Sequence, residues 1–136
     1  MIAAMKTNRL SHHITRRMRI ILPLVALMAI LSGCTCSYDP AVYAQLGKSK
    51  TDVGKAFGSA ASADVQTART DLTDLVALAE KNTPKCKEVL TQVRNAKTTF
   101  DGTDFKRKGS KFYQHKQENV IEAIDLAIKT QEQLKK

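Results

Sequence analysis

Residues 40–136 predict an all-α fold, a small up-down bundle of about four helices. Three observations carry this. Apolar residues recur three and four apart through four separate stretches. No stretch alternates apolar and polar residues with the period of two that a half-buried strand requires. Capping and turn residues punctuate the stretches at Asp39-Pro40, 59–62, Asn82-Thr83-Pro84 and Asp101-Gly102. Short joints between amphipathic helices favour antiparallel neighbours, and three-four spacing suits the shallow crossings of such bundles. The alternative is that one or two faces pair across chains in an oligomer.

The first stretch opens with Asp39 as N-cap and Pro40 in the first turn. Val42, Leu46, Val53, Ala56 and Ala60 follow on one stripe, with Phe57 beside them, giving a helix over about 40–57. Gly47, Gly54 and Gly58 form a neighbouring stripe that either admits a close helix or weakens this one. A break is expected at 59–62. The second helix carries Val65, Ala68, Leu72, Leu75 and Ala79, and Asn82-Thr83-Pro84 ends it and starts the third. Cys86, Val89, Val93, Ala96 and Phe100 mark the third, widened by Leu90 and stopped by Asp101-Gly102. The fourth runs over about 110–134, with Val120, Ile121, Ile124, Ala127, Ile128 and Leu134 on one face. Its other face offers Asp125–Lys129 and Glu132–Lys136 as i,i+4 pairs in the favourable order.

The N-terminal third reads differently. Residues 1–19 hold five basic residues and no acidic one, and residues 20–31 are twelve uncharged, mostly large apolar residues. Twelve are too few to span a bilayer, which takes about 20. The basic flank, apolar run and small residues ahead of a cysteine form the three-part pattern of a signal peptide. Leu31-Ser32-Gly33-Cys34 resembles the bacterial lipobox. That resemblance implies lipid on the Cys34 thiol, cleavage after Gly33, and a division into signal 1–33, lipidated tether 34–39 and bundle 40–136. Met5 and Met18 are alternative starts. Arg16-Arg17 resembles a twin-arginine export signal, although Arg19 stands where that motif wants an apolar residue.

Removing the signal leaves 103 residues with 17 basic and 13 acidic side chains, so the formal charge falls from +9 to +4. The basic pI is thus partly a property of the signal, and nucleic acid is not an expected partner. It also leaves Cys36 and Cys86 as the remaining thiols beside Cys34. In an oxidising compartment such a pair is a disulfide candidate. An up-down bundle brings both to one end, the start of the first and third helices. The alternative is a buried free Cys86, with Cys36 reduced or paired elsewhere.

Chemistry is sparse. His12 and His13 leave with the signal, so His115 stands alone and no His/Cys metal set can be assembled. No nucleophile–base arrangement and no glycine-rich phosphate loop is present, so neither enzyme activity nor a cofactor is expected. Asp71 with Asp74 and Glu118 with Glu122 are carboxylate pairs expected on solvated helix faces. Residues 104–116 break the helical pattern and carry five cations, Lys106, Arg107, Lys108, Lys111 and Lys116, with Phe105, Phe112 and Tyr113 among them. Such a segment binds phosphates or carboxylates, with Phe105 or Tyr113 stacking on a ring, or else its aromatics cap the core while its lysines solvate a turn.

In size, anchor, helices and cysteine pair, the chain resembles the pilotin type of small helical lipoprotein, which holds a partner helix in a groove. It is equally similar to exclusion and immunity lipoproteins. The resemblance implies a non-enzymatic protein-binding module held at the membrane through Cys34, facing an envelope protein partner. A cell-wall or surface-glycan binder acting through residues 106–116 is the alternative. Lys135-Lys136 also resembles the peptidoglycan-linked end of the major murein lipoprotein, although four helices and several glycines depart from its single coiled coil. Thr35 after Cys34 implies the outer membrane, facing the periplasm, under the enterobacterial sorting rule. In a Gram-positive cell the outer face of the plasma membrane takes its place.

Overall fold

A computed structural model describes residues 36–136, and the expectations for the signal segment 1–33 and for Cys34 lie outside the described residues. Four helices follow in order: α1 (Pro40–Ser59), α2 (Ser62–Asn82), α3 (Lys87–Asp101) and α4 (Lys111–Leu134), with a 3-10 turn at Phe105–Arg107 before the last. Helix α1 packs on α2 and α4, and α3 packs on the same two. Consecutive helices joined this tightly must run antiparallel. The result is an up-down-up-down bundle, with no strand among the described residues.

Local chemistry sets most helix ends. Asp39 Oδ1 accepts the Val42 amide at 2.8 Å, satisfying an orphan donor, and Pro40 occupies the first turn. Ser110 Oγ does the same for the Tyr113 amide at 3.1 Å, and Asp104 Oδ1 for that of Lys106 at 3.1 Å. The α1–α2 joint is tighter than the predicted break. Ala60 leaves the stripe and takes a left-handed conformation (φ 54°), returning its amide to Ala56 O. Ser59 Oγ then accepts the Ala61 amide and donates to Asp64 at the head of α2. Pro84 does not start α3. It lies in a turn, and the helix begins three residues later, after Cys86.

The predicted stripes meet in one core. Val42, Leu46, Val53, Ala56 and Phe57 of α1 face Val65, Ala68, Leu72, Leu75 and Ala79 of α2, with Val89, Val93, Ala96 and Phe100 of α3 and Val120, Ile124 and Ala127 of α4. Each fully buried Val, Leu, Ile or Phe stabilises the fold by about 1.5–3 kcal/mol relative to exposure. Ile121, Ile128 and Leu134 lie at the margin and are only partly buried. The i,i+4 pairs expected along α4 give way to interhelical contacts. Asp125 receives Lys50 Nζ from α1 at 2.6 Å, and Glu132 accepts the Tyr43 hydroxyl at 2.9 Å. Both partners come from α1, one of the two helices on which α4 packs.

Cys36 and Cys86 are joined as a disulfide, with Cα atoms 4.5 Å apart. It fastens the segment before α1 to the head of α3, where Cys86 supplies no side-chain cap. At the same end, Gln131 Oε1 of α4 accepts the Asp39 amide at 2.8 Å. The glycine stripe is not a close-approach surface, because a Cβ at Gly47, Gly54 or Gly58 meets nothing within 4 Å. Gly109 is different, since its φ of 90° turns the chain into α4 where an L-residue is strained.

Two outcomes follow for stability. Gly47→Ala and Gly54→Ala are each expected to stabilise the domain by about 0.5–1 kcal/mol in urea unfolding, since they remove backbone freedom without a clash. The double change Cys36→Ser, Cys86→Ser opens a loop spanning 50 residues. It is expected to cost about 2–4 kcal/mol, read as a lower thermal midpoint that reductant no longer shifts.

Candidate functional site

The segment 104–116 resolves into two sets of residues with different fates. Phe105 and Tyr113 are structural. Phe105 lies 5.3 Å from Phe57 and 5.1 Å from Phe100, centroid to centroid, and Tyr113 lies 5.3 Å from Phe57 in an edge-on contact. Phe57 and Phe100 meet edge to face at 5.6 Å. Such tilted and edge-on pairs match the ring quadrupoles and add about 0.5–1.5 kcal/mol each beyond burial. Tyr113 is 3% exposed and its hydroxyl donates to Phe57 O at 2.7 Å. Burial raises its pKa, so the phenol stays a donor. Tyr113 is therefore placed in the core, away from any surface ligand.

The cations stay outside. Lys106, Arg107 and Lys108 occupy the 3-10 turn and its end, and Lys111 opens α4. Arg107 Nε lies 3.5 Å from Asp104 of its own turn, and Lys108 Nζ donates to Gly58 O at the end of α1. Lys116 Nζ sits 5.2 Å from the ring centroid of Phe112, itself 56% exposed. One end of the bundle thus presents an aromatic plug within and cations with one exposed ring outside. His115 Nδ1 stands 3.9 Å from Glu118 on the exposed face. Among the described residues no group of three His, Cys, Asp or Glu could hold a metal ion, and no helix is long and apolar enough to cross a membrane.

A polar cluster between α1 and α2 departs from the sequence expectation. Asp71 was expected on a solvated face with Asp74. Asp74 is exposed, but Asp71 is only 6% exposed and turns toward α1. Lys48 Nζ bridges its Oδ1 at 2.5 Å and Asp52 Oδ2 at 3.2 Å. Gln45 Nε2 and Ser49 Oγ donate to the Asp71 carbonyl. Asp71 Oδ2 has no partner of its own. Burial, followed by the hydrogen bond to Asp52, raises the Asp71 pKa against the pull of Lys48. The hydrogen bond from Asp71, followed by Lys48 and Lys55, lowers that of Asp52. The two carboxyls are thus pushed in opposite directions, Asp71 up by burial and Asp52 down by its neighbours. A carboxylate three residues after Ala68 and four before Leu75 was the visible signal, since that spacing continues the apolar stripe.

The remaining surface of note is the outward strip of α4. Ile121 and Leu126, the latter 39% exposed, lie there among Gln114, Gln117, Glu118, Glu122, Asp125 and Lys129.

Asp71 and Asp52 carry opposite linkages. Asp71, with a raised folded pKa, contributes stability that is present at acid pH and lost as pH rises through that pKa. Asp52, with a lowered one, contributes stability above the ordinary carboxylate pKa that is lost as pH falls through its folded value. Asp71→Asn removes the first of these linkages. Relative to the parent, this variant is expected to gain stability in urea unfolding as pH rises above the ordinary carboxylate range. An unchanged difference across that range would mean that Asp71 titrates as a free carboxylate. Comparison of the chain with protein-family models, curated proteins and solved structures returns no match.

Proposed function

We propose that this chain is a non-enzymatic envelope lipoprotein, held at the membrane by lipid on Cys34, whose helical bundle binds another protein. The observation that carries the reading is Leu31-Ser32-Gly33-Cys34 behind a basic flank and a twelve-residue apolar run. The Cys36–Cys86 bond agrees with it, since disulfides persist in oxidising compartments outside the cytosol. The surface that suits a partner helix is the outward strip of α4, where Ile121 and Leu126 offer apolar contact and Glu118 and Glu122 offer charge.

A second reading, binding of an anionic glycan or phosphate, rests on the cations around the 3-10 turn and the exposed ring of Phe112. Salt separates the two. Contacts to phosphates weaken steeply as counterions compete, whereas apolar contacts through Ile121 and Leu126 do so only slightly.

The test begins with the N-terminal mass of the protein from its native host, where a diacylglyceryl Cys34 is expected. A photo-crosslinker at Glu122, on the same strip, is then expected to capture one envelope protein at low and at high salt alike. Capture that survives Leu126→Asp but fails when Lys106, Arg107 and Lys108 are all changed to Ser would favour the second reading. A native chain still beginning at Met1 with an unmodified Cys34 would overturn the anchor.

A further inference from the structure

The end of the bundle opposite the 3-10 turn collects five lysines from three places in the sequence. Lys81 stands in the last turn of α2, Lys85 in the turn after it, Lys87 at the first position of α3, and Lys135 and Lys136 follow α4. All five are exposed, and none pairs with a carboxylate among the described residues. Of the lysines along the body, Lys129 is exposed without an ion pair among the described residues, while four others are paired. Lys48, Lys50, Lys55 and Lys97 each meet an aspartate. Three carboxylates at this end, Asp39, Glu88 and Glu132, offset part but not all of the five lysines. Asp39 caps α1 and exposed Glu132 accepts the Tyr43 hydroxyl, both from neutral donors, and Glu88 is exposed without a partner among the described residues.

This is also the end at which the chain leads back to Cys34. The disulfide holds Cys36 against Cys86, between Lys85 and Lys87. Two peptide links separate Cys34 from Cys36, a reach of at most about 7 Å. Tyr38 lies here too, with Lys135 Nζ 5.8 Å from its ring centroid. Amphipathic rings of this kind favour the headgroup layer. With lipid on Cys34, so short a link holds the end within about one Debye length of the bilayer, where unpaired lysines feel an anionic surface.

We infer that this end of the bundle is a membrane-contacting face, on which Lys81, Lys85, Lys87, Lys135 and Lys136 bind the phosphodiester headgroups of anionic phospholipid. The inference rests on the lipoprotein reading above for the proximity of the membrane, and on the structure for the lysines. The face supplies an electrostatic attachment beside the acyl chains, which orients the bundle rather than retaining it at the membrane. It sets the bundle upright, with the 3-10 turn and its cations farthest from the bilayer.

Lysine acetylation by a membrane-impermeant reagent, read site by site by mass spectrometry, tests this on the full-length protein. The protein is placed on vesicles of phosphatidylcholine with or without phosphatidylglycerol, while Lys106, Lys108, Lys111 and Lys116 serve as distal references. The five proximal lysines are expected to label about fivefold more slowly on phosphatidylglycerol-containing vesicles than on phosphatidylcholine alone, with the difference lost at high salt. Distal lysines are expected to label equally on both. Equal labelling of proximal and distal lysines on anionic vesicles overturns the inference, whether or not Cys34 carries lipid. So does protection by inorganic phosphate without vesicles, which would mark a soluble-anion site. The N-terminal mass of the same sample reports separately on the anchor.

Discussion

Phe57 is the residue on which the closure of this bundle depends. It ends the apolar stripe of α1, and its ring meets Phe100 of α3, Phe105 of the 3-10 turn and Tyr113 of α4. Its carbonyl accepts the Tyr113 hydroxyl, so one residue gives three ring contacts and one backbone hydrogen bond. The tight reversal at Ala60 follows three residues later and brings α2 back along the same core. A four-helix core drawn from about a hundred residues is modest, and its ends fray unless something closes them. The aromatic plug closes one end without covalent help, and the disulfide closes the other.

The core these ends enclose is not purely apolar. Gln131 is fully buried, and its Nε2 has no hydrogen-bond partner while its Oε1 holds the Asp39 amide. Asp71 presents a similar cost on the α1–α2 seam. Each unsatisfied group opposes folding by about 1–3 kcal/mol, and each also ties two helices together in one register, which a smooth apolar seam of Val, Leu and Ala does not do. Ser49, fully buried within reach of the Asp71 carbonyl, belongs to the same seam.

Most of the architecture was legible in the order of residues. The four stripes, the Asp39-Pro40 start, the stop at Asp101-Gly102 and the meeting of Cys36 with Cys86 all follow from local spacing and from the alternation of helix direction. What escaped was long-range or polar. Asp125 and Glu132 were assigned partners along their own helix, yet their partners came from α1, more than seventy residues away in sequence. Asp71 and Gln131 sit on core stripes where pattern reading looks for apolar residues and passes over polar ones. The segment 104–116 read as one basic, aromatic unit because sequence proximity hides direction. Folding sends Phe105 and Tyr113 inward and leaves Lys106, Lys111 and Phe112 outside. The lysines of the opposite end, scattered over residues 81–136, form a set only once the helices are placed.

The disulfide has a mechanical meaning apart from its effect on stability. A pull applied at Cys36 does not travel along α1. It crosses the sulfur–sulfur link into Cys86 and enters the fold at the head of α3, so the 49 residues between the two cysteines form a closed ring outside the loaded chain. While the bond is intact, tension at the N-terminal side cannot peel α1 from α2. It must instead shear α3 against its neighbours α2 and α4. Reduction moves the point of loading back to α1 and lengthens the extensible chain by that whole ring.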